Sequence, residues 1–203
     1  MVPILLKTDN PVLTGSYELA KRHLIAIQAR LQKSTTVQIQ YLEFMEEYAN
    51  LGHMLPSTSH GLAAYYIPHH SVIAESSLTT KLRVVFNAPM PTPSSGLSLN
   101  QVLYTGPKLQ ADIVQLIIQF RTYSIAFKTD LCKMFRQILI HPQDRKYQHI
   151  LWESKSGDPV VGYELQTVTY GTAQSPIRTI LSSMLKNQSL MRKVLVTFHV
   201  SSA

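Results

Sequence analysis

The fold of this chain is best approached from the stretch FKTDLCKMFRQI, residues 127–138. A short apolar run, residues 124–127, ends close to Asp130, and an amphipathic segment follows at once. This pattern is typical of a strand that brings one carboxylate to the rim of a sheet and then turns away. Asp130 could hold Mg²⁺ through one oxygen, while substrate phosphates and water complete the octahedron. The alternative is a surface aspartate that caps the following turn.

The aromatic side chain of Phe135 follows Asp130 within the same stretch. A short helix or turn after Asp130 would bring this ring back over the carboxylate. An aromatic wall beside a metal-bound nucleotide can exclude a ribose 2′-OH by bulk. The stretch is therefore a candidate for metal-bound nucleotide chemistry, with the surface turn as the alternative.

The composition limits the classes of protein that this chain can represent. Its 203 residues suit one domain of ordinary size, and 45% apolar residues can form a core. Charged residues make up only 15%, which argues against disorder across the whole chain. The net charge of +7 favours a polyanionic partner, above all nucleic acid. A basic protein without such a partner is the alternative.

The cysteine count and the lengths of the apolar runs bear on location. Cys132 is the single cysteine, which excludes an internal disulfide and favours a reducing, cytoplasmic compartment. No apolar run approaches the roughly 20 residues that span a bilayer, so no membrane partner is expected.

Adjacent residues of an extended strand point to opposite sides, so His69 and His70 are poor co-ligands for one metal.

The first 54 residues predict a helical hairpin with a structural role. Two apolar stripes recur at steps of three and four residues. Ser34 and its neighbours can cap the second helix, and Gly52 can end it. The stripes consist of Tyr17, Ala20, Leu24, Ile27 and Leu31, and of Val37, Tyr41, Phe44, Tyr48 and Leu51.

The rest of the chain mixes strands and helices without regular alternation, which predicts an α+β fold. The proline-rich segment 88–98 predicts a loop. Strands are predicted at residues 63–68, 81–86, 124–130, 147–153 and 162–169, and helices after Pro107 and from Pro176 to about residue 188.

Two further segments carry candidate substrate-binding residues. Alternation along the strand at 81–86 places Lys81 and Arg83 on one face, where they suit a polyphosphate or a nucleic-acid backbone. A solvated edge strand is the alternative. Another strand ends at Tyr170-Gly171, and Gly171 permits close approach of the backbone to a ligand. An ordinary strand-to-helix turn explains that segment equally well.

Taken in order, these segments resemble a reverse transcriptase, and most closely the polymerase of BEL/Pao-type LTR retrotransposons. The resemblance extends from about Tyr17 to about Leu185. It is carried by YYIPHHSVIAESSLTTKLRVVFNA (residues 65–88), SSGLSLNQVLYTGP (94–107), FKTDLCKMFRQILIHPQDRKYQHILW (127–152) and TVTYGTAQSP (167–176).

The resemblance implies a role for each candidate residue. Asp130 matches the first metal-binding aspartate of the palm, and Leu131 would add a backbone carbonyl to a Mg²⁺ site. Phe135 matches the aromatic residue that screens the sugar 2′-OH. Arg83, with Lys81 nearby, matches the arginine that contacts the incoming triphosphate. Tyr170 and Gly171 match the loop that contacts the dNTP and the template.

The implied reaction is attack of a primer 3′-OH on the α-phosphate of a dNTP, with two Mg²⁺ ions stabilising the attacking and leaving oxygens. The implied partners are therefore an RNA template, a DNA primer and dNTP.

The sequence also departs from the pattern of that family. Asn87 stands where the family usually has an aspartate, and no Asp or Glu follows Glu164. The Tyr-x-Asp-Asp hairpin, expected within a few tens of residues after Pro176, is thus missing. The expectation is a fragment with fingers and a partial palm at 55–190 and a divergent tail at 191–203, inactive alone and dependent on other polyprotein regions. The alternative is a non-catalytic nucleic-acid-binding or interaction remnant.

Overall fold

The computed structural model describes residues 1–57, 64–73, 82–107, 112–123, 133–153 and 157–175. Helices and strands alternate irregularly along these ranges. The helices are α1 (Ser16–Leu31), α2 (Thr35–Asn50), α3 (Leu99–Val102) and α4 (Ile113–Thr122). The strands are β1 (Met54–Pro56), β2 (His69–Ile73), β3 (Leu82–Phe86), β4 (His149–Trp152) and β5 (Val161–Leu165). Two short 3-10 helices span Met134–Gln137 and Pro142–Tyr147.

The predicted helical hairpin is present as α1 and α2. The apolar stripe of α1 buries Ala20, Leu24, Ile27 and Leu31, as the periodicity predicts. Gly52 has a φ of +70°, so it supplies the left-handed residue that follows the end of α2. Ser34 precedes α2 in an extended conformation, but its side chain makes no capping hydrogen bond.

Three details of the predicted stripes are wrong. Tyr17 is 39% exposed because it lies in the first turn, where its ring packs edge-on against Tyr66 rather than entering the core. Leu51 is 51% exposed because α2 has already ended at Asn50. Met45, which the prediction left out, is buried in place of the half-buried Phe44.

Two antiparallel sheets form the β structure of the described ranges. One has the strand order β1-β5-β4, and the other is the hairpin of β2 and β3. In that hairpin His70 faces Val85 and Val72 faces Arg83. The predicted alternation is confirmed from residue 82 onward, since Leu82, Val84 and Phe86 are buried while Arg83 and Val85 are half-buried.

The strand predicted at residues 63–68 is wrong, because the partner of β3 begins only at His69. Pro68 has no amide hydrogen and so interrupts a ladder at this point. The preceding residues pair instead with the start of β4. The amide of Ile67 donates to the carbonyl of His149 at 2.7 Å, and the amide of His149 donates to the carbonyl of Tyr65 at 2.9 Å.

The other predicted strands differ in length from the observed ones. β4 lies inside its predicted segment, whereas β5 begins one residue before its segment and ends at Leu165. Thr167 continues β5 only as an isolated bridge to Leu139. β1, three residues long and ending on a proline, was not predicted. The strand predicted before Asp130 and the helix predicted from Pro176 lie outside the described residues.

The main core lies where α1 and α2 pack on the two sheets, with α1 against β2 and β4 and α2 against β1 and β3. A smaller cluster joins Phe135 and Ile138 to Ile140 and Val168. Within the described ranges, no helix is both long enough and apolar enough to cross a lipid bilayer.

Candidate functional site

Four of the seven predicted site residues lie in the described part of the chain: Arg83, Phe135, Tyr170 and Gly171. Lys81, Asp130 and Leu131 lie outside it. The site can therefore be built from its substrate-facing wall and loop.

Phe135 lies in the 3-10 helix Met134–Gln137, which confirms the predicted short helix or turn after Asp130. Lys133 precedes this helix with a φ of +50°, a left-handed conformation that is uncommon for a residue with a side chain. The Phe135 ring is buried at 7% exposure and anchors the smaller core cluster.

The rings of Phe135 and Tyr170 are in direct contact. Their centroids lie 5.0 Å apart at an interplanar angle of 76°, an edge-to-face arrangement. Such pairs contribute about 0.5–1.5 kcal/mol beyond the apolar area that they bury. The structure therefore joins two predicted site residues that are 35 positions apart in the sequence.

Gly171 lies directly against the end of β3. Its φ is +84°, and a Cβ atom at this position would lie 2.2 Å from the carbonyl oxygen of Phe86. Both the backbone conformation and the missing space require glycine here. The close approach seen here is to the protein backbone, so the predicted approach of Gly171 to a ligand stays a prediction.

Asn100, which was not predicted, fixes the same loop. Its side-chain amide donates to the carbonyl of Gly171 at 2.8 Å, and its side-chain carbonyl accepts from the amide of Ala173 at 2.8 Å. α3 holds Asn100 in place through a capping box, in which Ser98 and Gln101 bond each other's main-chain amides. The sequence signal was available, because Ser followed by Gln three residues later is a known helix start.

Arg83 lies on the same strand that Gly171 contacts. It is three residues before Phe86, about 10 Å along a strand, and its side chain leaves the face opposite to the core. Phe135, Tyr170, Gly171 and Phe86 thus form one chain of contacts that ends on the strand of Arg83. The structure thus joins the described members of the three candidate segments, whereas Asp130 and Lys81 lie outside the described residues.

The segment after Asp130 is also tied to α2. Glu47 forms ion pairs with Lys133 and, at 3.2 Å, with Arg136. The Arg136 guanidinium lies over the rings of Phe44 and Tyr48, at 5.0 and 4.5 Å from their centroids. The hydrogen bond from Lys133 lowers the pKa of Glu47, although partial burial acts in the opposite direction. Helical periodicity did not indicate this anchor, because these residues approach one another only in the folded chain.

His69 is a core residue rather than a metal ligand. The carbonyl of Leu151 can only accept, so Nε2 of His69 donates to it at 2.9 Å, and Nδ1 accepts from the Tyr41 hydroxyl. Complete burial lowers the pKa of His69 to about 4. Both ring nitrogens are therefore engaged, and adjacent His70 points to the other face of β2, as predicted.

No group of three or more His, Cys, Asp or Glu side chains is placed to hold a metal ion within residues 1–57, 64–73, 82–107, 112–123, 133–153 and 157–175. Asp130, the predicted ligand, falls between two of these ranges. The metal prediction is therefore untested by the described geometry.

The comparisons with known proteins give a structural match but no sequence match. No protein-family model matches the chain, and no curated protein sequence matches it. Among solved structures, the chain is similar to a foamy viral protease-reverse transcriptase in complex with double-stranded DNA, with a TM-score of 0.50 and 12% sequence identity. The match covers 71% of this chain and 22% of that chain. At this identity the likeness concerns the fold alone, a mixed helix-and-sheet fold similar to that of a reverse transcriptase.

Proposed function

We propose that this chain, whose fold is similar to that of a reverse transcriptase, is part of an RNA-directed DNA polymerase of the BEL/Pao retrotransposon type. The contact chain from Phe135 through Tyr170 and Gly171 to Phe86 carries the proposal. It joins the aromatic wall, the small-residue loop and the strand of Arg83, which are far apart in the sequence. A dNTP lying across the surface of these elements would meet all three.

In the proposed site the aromatic pair selects the sugar. The Phe135 ring packs against Tyr170 and against the smaller core cluster, and this packing restricts its movement. A ring fixed in this way would reject a ribose 2′-OH by bulk. Arg83 and Lys81 would bind the triphosphate, since a guanidinium can bond two phosphate oxygens at once.

The proposed metal ligands are the Asp130 carboxylate and the Leu131 main-chain carbonyl. Both are hard oxygen donors of the kind that Mg²⁺ takes, so the donor set suits the ion. When bound, the ion would supply charge stabilisation at the phosphate oxygens. The role of this chain's residues is to bind and orient the nucleotide and to exclude the wrong sugar.

We further propose that the isolated 203-residue chain binds template and primer without extending the primer. No Asp or Glu occurs in residues 165–203, so this part of the chain does not supply the second carboxylate motif of the family. Those carboxylates would have to come from another part of a longer polypeptide or from another chain. The solved neighbour was found with double-stranded DNA, and the +7 net charge suits a similar partner for this chain.

Primer extension and binding on the same template–primer test this proposal. The purified chain should bind a labelled poly(rA)/oligo(dT) duplex at low salt and yield no extended primer with Mg²⁺ and dTTP. The complementary nucleotide dTTP should strengthen this binding, whereas non-complementary dATP should not. Arg83→Gln should reduce the gain in binding that dTTP causes. Robust extension would contradict the proposed inactivity, and failure to bind the duplex would contradict the proposed function.

A non-catalytic nucleic-acid-binding role is the second candidate, and the missing carboxylates favour it. This role predicts duplex binding that dTTP does not strengthen. Asp130→Asn should then leave binding intact or slightly tighter, because it removes one negative charge. A large loss of binding in Asp130→Asn would contradict an electrostatic mode.

A further inference from the structure

The two helices of the N-terminal hairpin carry opposite charge. On α1 and just beyond it the exposed charges are mainly positive, whereas α2 contains three glutamates and no lysine or arginine. The positive side chains are Lys21, Arg22, Arg30 and Lys33, against Glu18 alone; the negative ones on α2 are Glu43, Glu46 and Glu47. Such a separation gives the two helices different electrostatic partners.

The partner of α2 is within the fold. Glu47 faces the segment after Asp130 and forms ion pairs with Lys133 and Arg136. The cations of α1 have no comparable role, since Arg22 and Arg30 take part in none of the ion pairs between described residues. Their charge therefore remains available on the surface.

The rim where α1 packs against β2 adds two histidines to these cations. His23 is half-buried on α1, and His70 is half-buried on β2. Burial lowers the pKa of His23, and the nearby Arg22, His70 and Arg30 lower it further. Among the described residues, the charged neighbours that lower the pKa of His23 are thus all positive.

The rim continues onto the strand of the proposed triphosphate contact. His70 and Arg83 lie on the same face of the β2–β3 hairpin in diagonal register, because His70 faces Val85 and Arg83 faces Val72. Diagonal neighbours in such a pair lie about 7–8 Å apart. A row of basic groups therefore runs from Arg83 through His70 and His23 to the arginines of α1.

We propose that this α1–β2 rim, defined by Arg22, His23, Arg30 and His70, binds the phosphate backbone of a nucleic acid. The inference rests on the nucleic-acid partner of the proposed function and adds a second contact surface to it. Arg22 and Arg30 are separated by about 12 Å along the helix, so each can contact a different phosphate of one strand. A polymer of regularly spaced phosphates satisfies both at once.

The double variant Arg22→Gln/Arg30→Gln tests the rim by its salt dependence. Both side chains are exposed, so their loss should leave the fold intact, as a thermal melt would verify. Each lost phosphate contact should reduce the slope of log affinity against log salt by about 1, so the double variant should lose about 2. Binding of an RNA–DNA duplex, followed by fluorescence anisotropy over a salt series, measures this slope.

Two matched variants sharpen the test. Arg121→Gln on α4 removes an exposed arginine elsewhere and should keep the slope close to that of the wild type. Arg22→Lys/Arg30→Lys keeps the charge and should recover most of the slope. A wild-type slope in the Gln double variant would overturn the rim proposal while leaving the proposed function intact.

Failure of the proposed function would look different. If the wild type does not bind the duplex at low salt, the nucleic-acid function and the rim proposal both fail. If dTTP-dependent retention is unchanged in Arg83→Gln, the proposed nucleotide site fails, and a reduced salt slope in the double variant would still support the rim.

Discussion

Gly171 lies so close to the carbonyl oxygen of Phe86 that a Cβ at Gly171 would be only 2.2 Å from that oxygen. This contact presses the loop that follows Tyr170 onto the end of β3. It connects the segment around Tyr170 to the strand that carries Arg83.

Gly171→Ala should destabilise the protein and displace the loop. The variant combines a left-handed φ of +84° with a collision against backbone, so we expect a cost of about 2–4 kcal/mol. Gly96→Ala is the matched control, because Gly96 has a φ of +65° and nothing within 4 Å. Urea unfolding of both variants measures the difference, and equal costs would contradict the close contact.

Asn100→Ala should loosen the same loop with less loss of stability. Two hydrogen bonds of 2.8 Å are removed, each worth about 1 kcal/mol in net terms, and less where water can replace them. The amide of Ala173 should exchange faster with solvent deuterium. Asn100→Asp keeps the acceptor for that amide and should preserve its protection, and equal exchange in both variants would argue against the assigned bonds.

Glu47 and Arg136, which connect α2 to the segment after Asp130, should contribute unequally to the free energy of unfolding. Glu47→Gln should cost less than about 1 kcal/mol, because the Glu47 side chain is 45% exposed and solvent screens its ion pairs. Arg136→Ala should cost about 2 kcal/mol or more, since it removes a buried stem and a cation over two aromatic rings. Thermal unfolding of the single and double variants gives their coupling.

The pH dependence of the anchor follows from the lowered pKa of Glu47. Its contribution is fully present above the unfolded-state pKa of 4.5 and disappears as pH falls through the lower folded-state value. The wild type should therefore lose slightly more stability than Glu47→Gln in this acidic range. A larger loss in the variant would contradict the direction of the shift.

Buried His69 should make the protein less stable as pH falls from about 6.5 to about 4. In this range the unfolded chain binds a proton on His69 that the folded chain does not bind. Below the folded-state pKa the loss in the free energy of unfolding reaches its full size of about 3 kcal/mol. His149 acts in the same direction, because burial also lowers its pKa. Only the difference between the wild type and a variant therefore isolates His69.

Unfolding of His69→Gln across this pH range should give a flatter curve than the wild type. Tyr41→Phe removes the hydroxyl that donates to neutral His69 but leaves the ring buried, so it should lower stability most where His69 is neutral. Because burial is the main cause of the lowered pKa, this variant should flatten the curve less than His69→Gln does. Parallel curves for the wild type and His69→Gln would show that His69 is not the group responsible.

The sequence predicted those elements whose pattern is local. The stripes of α1 and α2 and the alternation of β3 follow from which residues must leave water, and this repeats at the period of a helix or a strand. The start of β2 was misplaced because Tyr65, Tyr66 and Ile67 have the composition of a strand. They nevertheless pair with the start of β4, and only the assembled sheets show which partner they take.

What the sequence determined by itself is the set of chemical groups and their order: a basic strand, Asp130 with Phe135, and Tyr170-Gly171. Each is a short motif whose residues are neighbours in the chain. The tertiary structure decided which of these groups touch, namely Phe135 with Tyr170 and Gly171 with the end of β3. It also revealed the partners Asn100, Glu47 and Arg136, because contacts between distant residues arise from packing in three dimensions, which leaves no periodic signal in one.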